Sequence, residues 1–182
     1  MSTIQGLFKK GINMFEHDVI ITGTHSKYIK ILKDETGLFE RNLDVYMLAP
    51  ILGFINNRKG KKNNEDKAKT TIQAQQFSEV KDDCELVYRL IMLLDDETLE
   101  KEERLNRAFR YDSDENKKDE FTRNMEVYDS YVLGGIEYMY EVFAYGCVKI
   151  DDYIERIYQT VRDFKEDCTN IDYEEEIKKY LK

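Results

Sequence analysis

The chain has 182 residues, of which 41% are hydrophobic and 36% are charged, and its formal net charge is −9. Thirteen tyrosines and nine phenylalanines can fill a sizeable core, which excludes a wholly disordered chain and favours one domain over residues 1–182. Nine glycines and one proline are few for a sheet-rich fold. We therefore expect a mainly α, single-domain helical bundle of about seven helices, with at most one short strand or hairpin near residues 18–22.

The first elements follow from changes in the hydrophobic period. Residues 1–16 carry apolar side chains at helical spacing, and the β-branched run Val19–Ile21 predicts a strand that Gly23 ends. Thr24 suits the N-cap of a helix that extends to about Asp34.

A second helix is expected to begin at Asn42, which suits the N-cap position. Its apolar stripe consists of Leu43, Met47, Pro50, Ile51 and Phe54. Because the stripe continues on both sides of Pro50, we expect a kink there and no helix end. Residues 56–69 contain Ala68 as their single apolar side chain, so they predict an exposed loop and the best candidate for disorder.

The acidic part, residues 78–182, is helical by pattern. We expect helices at about 78–94, 95–109, 121–145, 151–165 and 173–181, with a polar break at 110–120. The helix at 121–145 holds its apolar period longest, so it should be the central and most buried element.

Gly134 and Gly135 lie inside that long helix, near Tyr138. Phosphate-binding glycine loops follow a strand and open a helix, so this pair does not match one. Mid-helix glycines cost about 1 kcal/mol each relative to alanine, and a close backbone contact would offset that cost. We interpret Gly134, Gly135 and Tyr138 as a packing contact or an interface.

Metal, cofactor and membrane sites are not indicated. Cys84, Cys147 and Cys168 are odd in number and far apart, and with His17 and His25 they form no zinc-ligand spacing. No apolar run approaches the roughly 20 residues of a membrane span, and the N-terminus lacks the apolar region of a signal peptide. We expect a cytoplasmic protein without cofactor, metal or membrane contact.

Catalytic residues are likewise not assigned. The acidic pairs Asp82-Asp83, Asp95-Asp96 and Asp151-Asp152 fall where helix starts and surfaces are acidic in any case. Glu79-Val80-Lys81 has the letters of a nuclease motif but opens a helix. An enzyme is therefore the least favoured function class.

Charge is unevenly distributed along the chain. Residues 1–72 carry 12 Lys/Arg and 8 Asp/Glu, a balance of +4, whereas residues 73–182 carry 16 and 29, a balance of −13. The split indicates either two faces with different partners or two halves that attract each other.

Six cations lie in the expected loop: Arg58, Lys59, Lys61, Lys62, Lys67 and Lys69. Such a cluster is typical of a solvated loop or of contact with nucleic-acid phosphates. Residues 17–57 also have the strand–helix–helix order of ribbon-helix-helix DNA-binding proteins, although "VIIT" has no long polar side chain to contact bases. We predict that residues 58–62 project from the preceding helix without structural duties.

The segments "HSKYIKILKDETGLFERNLDVYMLAPILGF" and "YVLGGIEYMYEVF" resemble small helical proteins associated with bacterial DNA phosphorothioation and phage-defence systems. The resemblance covers about residues 25–57 and 128–143. Pro50, where an alanine is expected, and the acidic second half depart from the pattern. The resemblance implies an accessory component that works by binding, without chemistry of its own.

Two functions stay open at this point. The first is a non-enzymatic accessory or adaptor protein of a DNA-directed system, which contacts DNA or a DNA-bound protein through the basic cluster. The second is a protein-only interaction module or inhibitor whose acidic face mimics nucleic acid. A protein partner is expected in both, and self-association stays open.

Overall fold

Seven α-helices and one small sheet make up the described part of the chain, residues 14–63 and 67–169 of a computed structural model. The helices are α1 (Gly23–Lys30), α2 (Asn42–Ile55), α3 (Ala74–Phe77), α4 (Lys81–Leu94), α5 (Lys101–Phe109), α6 (Lys118–Phe143) and α7 (Ile150–Thr169). A π-helical turn, Ile31–Glu35, extends α1, and a 3-10 turn, Glu115–Lys117, precedes α6. The prediction of a mainly α helical bundle is confirmed.

The sheet has two antiparallel strands, β1 (Val19–Thr22) and β2 (Lys69–Ile72), with Val19 opposite Ile72. The strand predicted near residues 18–22 is therefore present, and its partner begins at Lys69, the last residue of the expected loop. A four-residue strand with two threonines has too short an alternation to be recognised. Because β2 belongs to the same chain, β1 is paired without the second copy that a ribbon-helix-helix arrangement uses.

The long helix α6 is the centre of the fold, as expected. It packs against α1, α2, α4, α5 and α7. Its buried side chains include Phe121, Tyr128, Ile136 and Met139. The sequence identified this helix because the apolar period is kept over most of its length.

Helix α2 begins one residue away from its expected cap. The Asp44 carboxylate accepts a hydrogen bond from the Arg41 amide (2.9 Å), so Arg41 and not Asn42 is the N-cap. The helix continues through Pro50 to Ile55, in agreement with the prediction that proline does not end it.

The buried face of α2 differs from the predicted apolar stripe. It consists of Leu43, Val45, Tyr46, Ala49, Pro50 and Gly53. Ile51 is 37% exposed, so its predicted place on the packed stripe is wrong, whereas Leu43 and Pro50 are buried and Met47 and Phe54 pack against the core. The physical reason is that α2 turns its smallest residues, Ala49 and Gly53, toward α6.

Glycines allow α2 and α6 to touch through their backbones. A Cβ atom built on Gly135 would overlap the Ala49 carbonyl oxygen, and one built on Gly53 would overlap the Tyr131 carbonyl oxygen. The close contact expected at the glycine pair of α6 is therefore present, and Gly53 supplies its counterpart on α2.

Three further predicted helices, at 95–109, 1–16 and 173–181, can be compared with the structure only in part. Helix α5 begins at Lys101, later than expected, because Asp96 accepts hydrogen bonds from the backbone and hydroxyl of Thr98 and forms a turn. The expected helix at 1–16 lies outside the described residues except for 14–16, which are not helical, and the one at 173–181 lies wholly outside them. Among the described helices, none combines the length and the apolar character needed to cross a membrane.

The substitution Gly135→Ala tests the backbone contact, because helix propensity and steric overlap change the free energy of unfolding in opposite directions. Helix propensity alone would stabilise the variant by about 1 kcal/mol. The overlap with Ala49 should instead lower the free energy of unfolding by about 1–3 kcal/mol, as overpacking does. Urea unfolding measures the difference, and a variant as stable as the wild type would contradict the contact.

Candidate functional site

The segment after α2, residues 56–63 (the basic segment), lies against α6. The Arg58 amide donates to the Gly53 carbonyl oxygen (2.8 Å), and the Gly60 amide donates to the Ser130 carbonyl oxygen (2.7 Å). Gly60 is buried, and a Cβ atom on it would press on the backbone of Gly134. The prediction of disorder is therefore wrong for this segment.

Three of the six predicted DNA-binding cations form ion pairs with the acidic half: Arg58 with Glu141, Lys59 with Asp95 and Lys62 with Asp129. The prediction that they project without structural duties is wrong for these three. The expected attraction between the two halves of the chain explains the difference. Lys61, Lys67 and Lys69 are exposed and make no ion pair with any described residue.

Asp95, which follows α4, is the most buried of these carboxylates, with 7% of its side chain exposed. It accepts hydrogen bonds from the Lys59 ammonium (2.7 Å) and the Tyr131 hydroxyl (2.7 Å), and Arg107 lies 3.4 Å away. Burial opposes its ionisation, but hydrogen bonds from Lys59 and Tyr131 outweigh that cost, and the pKa of Asp95 lies below its ordinary value. One carboxylate thus joins the basic segment to α4, α5 and α6.

The glycine pair and Tyr138 are covered by the chain itself. Gly134 lies under the Arg58 carbonyl, and Gly135 lies under Ala49. Tyr138 is half-buried, with its ring centroid 6.0 Å from the Arg58 guanidinium. Tyr138 and the Glu141 carboxylate therefore both lie close to this guanidinium.

A cleft of about 410 Å³, the His25 cleft, lies between α1, the basic segment and α6. Its lining residues are Thr24, His25, Tyr28, Lys61, Asn63, Glu137, Tyr140, Glu141 and Tyr145. Gly23 shapes its edge: with φ of +66° it begins α1 at a point where a Cβ atom would overlap the Asn63 carbonyl. The basic segment, held against α6, thus forms one wall of the cleft.

His25 and Glu137 are the central polar pair of the cleft. The imidazole Nε2 and a Glu137 carboxylate oxygen are 2.8 Å apart, and 3% of the His25 side chain is exposed. The second ring nitrogen, Nδ1, is buried and has no hydrogen-bond partner among the described residues. In the neutral ring, Nε2–H donates to Glu137 and leaves Nδ1 as an unpaired acceptor.

Three tyrosines form the aromatic side of the cleft. The rings of Tyr28 and Tyr140 stack with their centroids 3.8 Å apart, and Tyr145 meets Tyr140 edge-on. The pKa of Tyr28 is raised by burial, then by Tyr140 and by the carboxylates Glu137 and Glu141. The two carboxylates thus contribute to the raised pKa, after burial and Tyr140.

The sequence did not indicate this cleft. His25 and Glu137 are 112 positions apart, and neither lies in a catalytic or metal-binding motif. The available signal was on α6 alone, where Glu137 and Glu141 are four residues apart and share a face with Tyr140. The structure adds α1 and Lys61, which no local pattern connects to that face.

A second surface is the exposed side of α7. The α7 face consists of Ile150, Ile154, Tyr158, Val161 and Phe164, each between 57% and 68% exposed. Tyr153 is the one buried side chain among those described on α7, and its hydroxyl donates to Glu35 (2.8 Å). The helix is thus anchored near its start and presents an apolar stripe beyond that point.

The described residues contain no cluster of three or more His, Cys, Asp or Glu side chains that could hold a metal ion. Burial, assisted by Asp83 and Glu85, raises the pKa of the Cys84 thiol to about 11, so this cysteine is a poor nucleophile at neutral pH.

Comparison with known protein families, with curated proteins and with solved structures finds no match to this chain. The resemblance to phosphorothioation-associated proteins therefore stays a prediction.

Charge reversal at two neighbouring lysines separates structural from free cations. Lys59→Glu should lower the free energy of unfolding by about 1–3 kcal/mol, because Asp95 loses a charged donor and gains a negative neighbour. Lys61→Glu makes the same change in charge without breaking an ion pair and should stay within about 0.5 kcal/mol of the wild type. Equal effects in urea unfolding would show that the Lys59–Asp95 pair does not hold the segment.

Proposed function

We propose that this chain is a non-enzymatic accessory protein that binds a partner protein through the α7 face. The observation that supports the proposal is the row of exposed apolar side chains along one side of α7. Their spacing of three and four residues places them on a single stripe of the helix.

The length and exposure of the stripe favour an interface. It runs from Ile150 to Phe164, which is about 20 Å along a helix. Contiguous apolar surface of this kind on a soluble domain usually marks a binding site, whereas isolated exposed apolar residues do not. A stripe of this shape accepts the apolar face of another helix.

Charge beside the α7 face indicates the character of that helix. Asp151, Glu155 and Glu166 lie about 60–120° around the helix axis from Ile154, with Arg162 among them. This flank is mainly acidic, so it complements lysine or arginine. The proposed occupant is an amphipathic helix of a partner protein, with an apolar stripe and a basic flank.

A designed 18-residue peptide with leucines on one helical face and lysines on the other serves as the probe. Fluorescence anisotropy of the labelled peptide should report binding to the wild type. Ile154→Glu should weaken this binding at least tenfold, which corresponds to about 1.4 kcal/mol. Gln159→Glu adds the same charge to α7 outside the apolar stripe, with loss of the hydrogen bond from Gln159 to Asp163 (2.7 Å), and should not weaken the binding.

Four results would contradict the proposal. Equal binding by the wild type and Ile154→Glu, or equal binding of a scrambled peptide, would show that the stripe is not recognised. Light scattering that finds a dimer dissolved by Ile154→Glu would make a second copy the occupant. Binding that emerges only after deletion of residues 170–182 would make the chain's own segment the occupant.

A direct contact with DNA is the second proposal, and it now rests on fewer cations. Lys61, Lys67 and Lys69 are exposed and free of ion pairs with described residues, while Arg58, Lys59 and Lys62 are paired. Duplex binding at low salt by the wild type and by Lys61→Glu addresses this contact. Membership of a DNA-modification or phage-defence system, and mimicry of nucleic acid by the acidic half, stay predictions.

A further inference from the structure

We propose that the His25 cleft binds a cationic group with several N–H donors, a guanidinium or primary ammonium carried on an alkyl chain. This site is separate from the α7 face, and its test is independent of the proposed partner protein.

An unused hydrogen-bond acceptor is the first argument. Glu137 contacts His25 through one oxygen, and its other oxygen has no hydrogen bond to any described residue. Glu137 lines the cleft, and about a third of its side chain is exposed.

Aromatic rings are the second argument. Tyr28, Tyr140 and Tyr145 line the same cleft, and the faces of aromatic rings attract ammonium and guanidinium groups. Carboxylates beside tyrosines strengthen this attraction, because both present negative charge to the ligand. Glu137 and Glu141 contribute to the raised pKa of Tyr28, although burial is the larger cause.

Lys61 distinguishes a cation from an anion as the ligand. Glu141 is paired with Arg58, so Glu137 and Lys61 are the cleft's charged groups that lack a strong opposite partner in the described chain. A phosphate or carboxylate would use Lys61, whereas a cation would be repelled by it. The unused oxygen of Glu137 and the three tyrosine rings favour the cation.

Isothermal titration calorimetry with agmatine and with N-acetylarginine amide tests the proposal and distinguishes a free amine from an arginine side chain of a peptide. Glu137→Gln should weaken binding at least tenfold, because it removes the charge while keeping an oxygen that can accept from His25. Lys61→Ala should strengthen binding about two- to threefold, because it removes a positive charge from the rim. Glu126→Gln, an exposed α6 position outside the cleft, is the matched control and should have no effect.

The proposal would be overturned by no binding at 10 mM of either probe, or by equal binding of the neutral analogue N-acetylcitrulline amide. Weaker binding by Lys61→Ala, or binding of inorganic phosphate that Lys61→Ala abolishes, would identify an anion site instead. Thermal unfolding of each variant, followed by circular dichroism, shows whether a loss of binding reflects a loss of folding.

Discussion

The backbone contact between α2 and α6 is the constraint on which the other features depend. Gly53 and Gly135 bring the two helices so close that neither position accepts a Cβ atom without movement. The contact is repeated one step further along, where Gly60 of the basic segment meets Gly134. Backbone of α2 thus packs on Gly135, and backbone of the basic segment packs on Gly134. These two contacts offset the free-energy cost of placing glycines inside α6.

This contact gives the basic segment a fixed path, and the path determines its chemistry. With Gly60 seated on α6, Lys59 reaches Asp95 and Arg58 reaches Glu141. The same path carries Lys61 and Asn63 past the start of α1, where they close one side of the His25 cleft. Three of the six cations that resemble a nucleic-acid contact in sequence, Arg58, Lys59 and Lys62, instead form internal ion pairs.

The sequence predicted those features that repeat along the chain, and it missed those that depend on the meeting of distant segments. Helix α6 was identified because its apolar period is long, and the strand at Val19–Ile21 because β-branched residues are consecutive there. On α2, Ile51 was wrongly placed on the buried stripe because hydrophobicity favours it, whereas close packing on α6 favours Ala49 and Gly53. The charge asymmetry indicated attraction between the halves but could not identify Asp95 as the partner of Lys59.

Native-state hydrogen exchange at the Gly60 amide tests the central claim most directly. This amide donates to the Ser130 carbonyl oxygen, and the account holds that it opens only when the α2–α6 contact opens. Its protection should therefore match that of the slowest amides in the middle of α6. Exchange of Gly60 at the rate of an unstructured peptide, with α6 still protected, would show that the basic segment is a free loop and would contradict the account.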